Sequence, residues 1–238
     1  MTSCRLCNSN SLFRFLDLGH TPPADDFLGN DRLSHPEIFY PLQVVRCDEC
    51  SHIQLNHVVA PEILYQNDYP YEASITKTGS EHFDEFASDI VQRLSMSSDE
   101  LVIDIGSNVG VLLTSFRSRN IRVLGVDPAE NIANIAVKNG IETIPDFFDE
   151  RVARHILEEY GKAKVLTASN VFAHVDDLSG LMAGVKLLLD EGGIFVIEAP
   201  YFGHLLHNLE YDTIYHEHLS YISISPLQRF FHNQGMEL

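Results

Sequence analysis

Leu101-Val-Ile-Asp104-Ile-Gly106-Ser107-Asn108-Val109-Gly110, with Gly125-Val-Asp127 one helix-length later, decides the fold of this 238-residue chain. The apolar run Leu101 to Ile105 suits a buried parallel strand, and Val111-Leu-Leu-Thr-Ser-Phe116 can pack a helix back against it. The glycines allow a tight turn and a close approach of ligand to backbone N–H groups. Ile121-Arg-Val-Leu-Gly-Val126 supplies a second strand, and the acid at its end, Asp127, is placed to hold both hydroxyls of a ribose. The set describes a pocket for an adenosine-containing ligand. A dinucleotide would call for G-x-G-x-x-G, whose middle glycine admits the pyrophosphate. Here the centre of the loop is Asn108, and Asp104 puts a carboxylate beside the turn. That charge repels a pyrophosphate but suits the ammonium of an amino acid, so S-adenosylmethionine fits better than NAD. The competing bland reading is a glycine turn that only joins strand to helix.

The chain is 45% hydrophobic and has no Trp, enough for one full α/β domain plus a small appendage. A formal net charge of -18 argues against a nucleic-acid partner, which needs a basic footprint. No apolar run reaches membrane-spanning length, and Met1-Thr-Ser-Cys-Arg-Leu-Cys lacks the layout of a secretion signal, so a cytoplasmic protein without membrane attachment is expected. All four cysteines form two C-x-x-C pairs, Cys4/Cys7 and Cys47/Cys50. Four thiolates from two knuckles complete a closed, structural zinc site. Two short-loop disulfides are the rival, disfavoured in a reducing compartment. Thr21-Pro-Pro, Leu28-Gly-Asn and His35-Pro break up the surrounding segment, which needs such a staple to fold.

Residues 1–70 therefore read as a zinc-binding domain, with a strand over Phe39 to Arg46, and residues 71–238 as the ligand-binding domain. From Ser74 to Leu94 the spacing of Phe83, Phe86, Ile90 and Leu94 predicts a helix. Strands are expected at Leu101 to Ile105, Ile121 to Val126, Ile141 to Ile144, Lys164 to Ala168 and Gly193 to Glu198, with helices in the gaps. This alternation predicts an α/β fold, an open parallel sheet with helices on both faces. After Gln228 to Leu238, where a helix ends in Gly235, a further strand would ordinarily start, so the domain reads as cut short. An unpaired fifth strand would leave Ile194 to Ile197 as an exposed apolar edge suited to self-association.

The densest cluster of reactive side chains is Glu210-Tyr211-Asp212-Thr-Ile-Tyr215-His216-Glu217-His218-Leu-Ser-Tyr221, following the Glu198-Ala-Pro200-Tyr201 exit of the fifth strand. His174, after the fourth strand, is expected at the same rim, where ligands of open α/β sheets bind. A histidine of near-neutral pKa can remove a proton, a carboxylate can fix its tautomer, and a tyrosine can donate to a developing oxyanion. Together these groups suit enolisation. Two alternatives stay open: His216 and His218 as a metal pair on one side of a strand, and a hydrogen-bonded loop that shapes the pocket without handling a proton. His204 and His207 read as exposed helical residues, and Asp25-Asp26 as a solvated turn.

The two knuckles, Leu18-Gly-His-Thr-Pro-Pro-Ala-Asp-Asp-Phe-Leu28, Ile105 to Gly110, Asn170-Val-Phe-Ala-His-Val-Asp-Asp-Leu178, Glu198 to Tyr201 and Tyr211 to Tyr221 together resemble the zinc-containing, S-adenosylmethionine-dependent sugar C-methyltransferases. The resemblance runs nearly end to end. It implies a class I methyltransferase (Rossmann-like) domain that methylates the carbon next to the ketone of a nucleotide-linked 4-keto-deoxysugar. On that reading His218 is the base, Tyr215 and His174 assist at the keto or enolate oxygen, and Glu217 supports the base. Tyr69 and Tyr71 would shape the sugar pocket together with Tyr201. Asp104, Gly106, Ser107, Asn108, Gly110, Asp127, Pro128 and Asn170 would hold the cofactor. The chain departs from the family at Val109, where an acid is usual, and at Ser51-His52, where Gly and an apolar residue are usual. Compared with the family, the sequence reads as lacking its last domain, so the alternatives are a truncated, non-catalytic cofactor- or partner-binding protein and a methyltransferase acting on a different small molecule.

Overall fold

The computed structural model describes residues 3–66, 69–70 and 77–238. In chain order its elements are β1 (Leu12–Thr21), β2 (Tyr40–Cys47), β3 (Ile53–Leu55), α1 (Pro61–Tyr65), α2 (Lys77–Leu94), β4 (Leu101–Ile105), α3 (Val111–Arg117), β5 (Arg122–Val126) and α4 (Glu130–Lys138). There follow β6 (Thr143–Ile144), α5 (Glu150–Tyr160), β7 (Ala163–Ser169), α6 (Leu178–Leu188), β8 (Leu189–Glu198), α7 (Phe202–Asn208), β9 (Ser220–Tyr221) and α8 (Ile224–Asn233). They form two compact units, one of Tyr65–Val171 with Ser179–Glu198, the other of Met1–Leu64, Phe172–Leu178 and Ala199–Leu238. The sequence reading expects consecutive segments 1–70 and 71–238, whereas the compact units interleave along the chain.

The first unit holds a five-stranded sheet in the order β6-β5-β4-β7-β8, parallel throughout. Every residue of β4 is buried, as its unbroken apolar run requires of a strand covered on both faces. Phe83, Phe86 and Leu94 of α2 pack with Ala87 and Ile90 on the core built by Leu112, Leu113 and Phe116 of α3. Helix α5 shows how local sequence sets an element. Asp149 caps it by accepting from the Val152 N–H at 2.8 Å, Val152, Ala153 and Ile156 bury one stripe, and Gly161 at φ 86° ends it. The order places β4 and β7 at the point where successive strands change direction across the sheet, the usual ligand position in such folds. Strand β8 is at one edge, with Ile194 to Ile197 half-buried rather than fully exposed.

The second unit holds an antiparallel sheet in the order β1-β2-β3-β9. Strand β9 comes from the far end of the sequence, pairing Tyr221 with Ile53 and Ser220 with Gln54. Leu42, Val44, Ile53, Leu55, Leu205, Ile214, Leu219 and Tyr221 form its core, so the segment carrying the Tyr-His-Glu-His run folds with the cysteine-bearing segment. No helix among the described residues is long and apolar enough to cross a membrane.

Candidate functional site

In the parallel-sheet unit the loop after β4 turns through Gly106, Asn108 and Gly110, all left-handed at φ 68°, 50° and 80°. A Cβ on Gly106 would collide with the Val171 side chain, and one on Gly110 would lie 2.9 Å from Ile141 Cγ1, so both positions exclude any larger residue. The Gly106 N–H donates to the Val126 carbonyl at 2.7 Å, which fixes the loop against the end of β5. Asp127 accepts from the Asn108 N–H at 2.8 Å and the Ala129 N–H at 3.0 Å. Each carboxylate oxygen keeps a lone pair for a ligand after those bonds. Asp104 accepts from the Thr167 hydroxyl at 2.6 Å, a contact across the β4/β7 pair. Burial pushes Asp104 up to about 7, with Asp127 adding to the rise and Thr167 opposing it; burial also raises Asp127.

Among the described residues neither aspartate forms an ion pair, and both are buried. The site therefore carries negative potential without a protein cation. A cationic amino-acid ligand relieves that potential and a pyrophosphate worsens it. Ser107 is buried with a hydroxyl that has no partner among the described residues, Pro128 follows Asp127, and Asn170 (φ 57°) donates its N–H to the Glu198 carbonyl at 2.7 Å, tying the ends of β7 and β8. Tyr69 packs against Val109, Ala129 and Ile132, and its carbonyl accepts from Asn131 at 3.1 Å. Tyr71 lies outside the described residues.

The other unit gathers the reactive cluster. His218 donates from Nδ1 to the Thr213 carbonyl at 2.7 Å, and its Nε2 accepts from the Tyr215 hydroxyl at 2.9 Å. The carbonyl can only accept, so it fixes the proton on Nδ1 and leaves the Nε2 lone pair as the basic site. The His174 and His218 ring centroids are 5.0 Å apart. Burial pulls His174 down to about 3, with His218 contributing, and burial lowers His218 as well, so both rings are neutral at pH 7. Glu217 is buried and faces Asp25. Desolvation, then that second carboxyl, pushes it up to about 8, so it carries a proton at neutral pH. A small pocket is lined by Pro200, Tyr201, Glu210, Thr213, His218 and Tyr221, among others.

His216 takes a different direction from His218. Its Nε2 donates to the Tyr40 carbonyl at 3.3 Å, and the segment is a turn rather than a strand, so the two rings do not share a face. Asp25 and Asp26 also separate. Asp26 makes a two-bond ion pair with Arg32 at 2.8 and 3.0 Å, whereas Asp25 is half-buried beside Glu217. The sequence offered one sign of this, the position of Asp25 inside the Pro-Pro-Ala-Asp-Asp stretch. His204 and His207 are exposed on α7.

The four cysteine sulfurs lie within 4.8 Å of one another, with Cys4 to Cys50 and Cys7 to Cys47 each at 3.5 Å, and no disulfide joins them. Four sulfurs about 2.3 Å from a tetrahedral zinc are about 3.8 Å apart, so the set fits that ion closely. The knuckles repeat one geometry. The residue after each second cysteine, Asn8 or Ser51, is left-handed at φ 59° or 64° and donates its N–H to the carbonyl of the first cysteine at 2.8 or 2.9 Å. Arg5, inside the first knuckle and missed by sequence reasoning, is buried. It donates to the carbonyls of Leu55 (2.9 Å) and Leu219 (3.2 Å) and pairs with Asp176 at 2.8 Å. It thereby ties the metal knuckle to the residue after His218 and to the segment carrying His174.

A family model described as "Methyltransferase domain" matches residues 80–238, and one described as "Putative zinc binding domain" matches residues 4–65. The chain is 36% identical over 235 residues to the C-methyltransferase NovU of Streptomyces niveus, covering 99% of this chain and 56% of that protein. It thus spans little more than half the length of that relative. It is 25% identical over 154 residues to a ubiquinone biosynthesis O-methyltransferase of Burkholderia pseudomallei, covering 58% and 64% of the two chains. A solved S-adenosylmethionine-dependent methyltransferase from Clostridium acetobutylicum is similar at 17% identity and a TM-score of 0.44, over 55% and 54% of the two chains. The glycine-turned loop with its two buried aspartates and the four-sulfur cluster thus have their explanation: the chain belongs to the S-adenosylmethionine-dependent methyltransferases and carries a zinc-binding domain ahead of its methyltransferase domain.

Proposed function

We propose that this chain acts as an S-adenosylmethionine-dependent C-methyltransferase on the carbon alpha to the ketone of a nucleotide-linked 4-keto-deoxysugar. The observation that carries the reading is the orientation of His218, a neutral imidazole whose Nδ1–H is fixed on Thr213 and whose Nε2 meets a tyrosine hydroxyl. Carbon methylation needs a carbanion equivalent, and a neutral histidine beside a hydroxyl donor supplies the base and the oxyanion partner. The similarity to NovU, named a C-methyltransferase, supports carbon over oxygen or nitrogen as the acceptor. The sugar follows from the motif resemblance.

S-adenosylmethionine, when bound, supplies an electrophilic methyl group on a positively charged sulfur. Asp127 would hold the ribose and Asp104 the cationic amino-acid end. His218 Nε2 removes the alpha proton, and the electron pair of that C–H bond moves into the enolate. For this to happen the Tyr215 hydroxyl turns from Nε2 to the substrate oxygen, which frees the lone pair and places a donor where negative charge develops. His174, kept neutral by burial, can donate its own N–H to the same oxygen. The test is incubation with a nucleoside-diphosphate 4-keto-6-deoxyhexose in deuterium oxide. Deuterium is expected at the alpha carbon, and with the cofactor present a new carbon-bound methyl there. A methyl on oxygen, or an unlabelled alpha carbon, counts against the proposal.

Asp104 gives a separate expectation. Its folded value near 7 lies above the ordinary carboxyl value, so between about 4 and 7 the folded chain holds a proton that the unfolded chain has lost. Unliganded stability from this group is therefore lost as pH rises through that window. A cationic ligand prefers the ionised form, so affinity for the cofactor should rise about tenfold between pH 6 and 8. In Asp104→Asn that dependence should vanish, affinity should fall, and unliganded stability at pH 8 should not. Calorimetric titration across pH checks this, and an unchanged pH slope in the variant would remove Asp104 from the site.

A further inference from the structure

Tyr221 is one of two residues in β9, held there by Ile53 of β3, and it is 5% exposed. Adjacent strand residues face opposite ways. Ser220 reaches His52 on one side, its hydroxyl 3.2 Å from Nε2, and Tyr221 lies on the other with its ring against Phe202. Both residues border the same pocket as His218, Thr213 and Glu210, Ser220 with its hydroxyl engaged by His52. The Tyr221 hydroxyl is buried and, among the described residues, has no hydrogen-bond partner. Burial raises its pKa, so it keeps its proton and can only be used as a donor or neutral acceptor at neutral pH.

A buried hydroxyl without a partner is destabilising, and native structures keep such a group where something else engages it. Tyr215 must give up its bond to His218 before it can serve the substrate. Tyr221 has no bond to break, which is the property of a preorganised oxyanion donor. We infer that the Tyr221 hydroxyl is a catalytic hydrogen-bond donor to the substrate's keto oxygen, acting with Tyr215 on the enolate that forms when His218 removes the alpha proton. The inference rests on the function proposed above. No atom is transferred from Tyr221: its O–H bond stays intact while the C–H bond breaks and the negative charge gathers on the oxygen it faces.

The test compares the wild-type chain with Tyr221→Phe, which keeps the ring and its packing and removes only the hydroxyl. Three quantities are measured: deuterium exchange into a nucleoside-diphosphate 4-keto-6-deoxyhexose, affinity for S-adenosylmethionine, and the melting temperature without ligand. Exchange should fall by about 10²–10³-fold, as for loss of one oxyanion donor. Cofactor affinity should stay the same. The melting temperature should be unchanged or raised by about 2–4 °C, because an unpaired buried hydroxyl has been removed. Exchange within about threefold of wild type overturns the inference while leaving the proposed function standing. So does a variant that melts earlier or fails to fold, since the hydroxyl then has a structural partner such as a buried water. Wild-type protein that exchanges nothing overturns the function and this inference together.

Discussion

His218→Asn is expected to abolish deuterium exchange at the alpha carbon, with a loss of about 10²–10⁴-fold, while affinity for S-adenosylmethionine stays the same. The asparagine amide can still donate to the Thr213 carbonyl, so the turn keeps its tether, but no basic nitrogen remains where Nε2 was. The residues proposed to hold the cofactor, Asp104, Asp127, Asn108 and Gly106, belong to the other compact unit and are held by their own strands, which is why binding should survive. In wild-type protein the base is active when unprotonated. Burial lowers its pKa below the ordinary histidine value of 6.5, so exchange should be at its plateau at pH 7 and fall only as pH drops through that lowered value. Retained exchange in the variant would reassign the base, and His174, with its ring centroid 5.0 Å away, would be the next candidate.

Removal of zinc should have a comparably large effect by a different route. A structural zinc contributes on the order of 10 kcal/mol or more to folding of its domain, far above the stability of a small sheet alone. The strands beside the knuckles carry the reactive segment through Arg5, which joins Leu55, Leu219 and Asp176, and through His52, which meets Ser220. Chelation, or Cys47→Ser, should therefore unfold the antiparallel unit and eliminate exchange without any cysteine touching the substrate. Metal analysis should find one zinc per wild-type chain. Exchange that persists in metal-free protein would show that the cluster is not what holds His218 in place.

The parallel sheet was legible because its determinants are local. Leu101 to Ile105 is apolar at every position and became a strand over those same residues, and Val111 started a helix where Gly110 ends the turn. Strands near Arg122 and Ala163 begin within one residue of expectation, whereas β8 starts at Leu189, ahead of the expected Gly193. The cysteine spacing was equally readable, since a C-x-x-C knuckle needs only four residues to aim two sulfurs together. Less was visible around His218. The sequence admits a strand there with co-facing histidines, because alternation cannot be told from a tight turn in the four-residue run Tyr215 to His218.

By itself, then, the sequence determined the alternating strands and helices of the parallel sheet, the tight glycine turn after β4, the acids at the ends of β4 and β5, and the metal ligands, all of which depend on neighbours a few residues apart. Only the tertiary structure decided that β9 closes the antiparallel sheet, that Glu217 turns to Asp25, that Arg5 reaches Leu219 and Asp176, and that the Tyr221 hydroxyl is left without a partner among the described residues. The contacts among these join residues from 166 to 214 positions apart. They are selected by burial and hydrogen-bond satisfaction in the packed core, and no local periodicity records which distant partner wins.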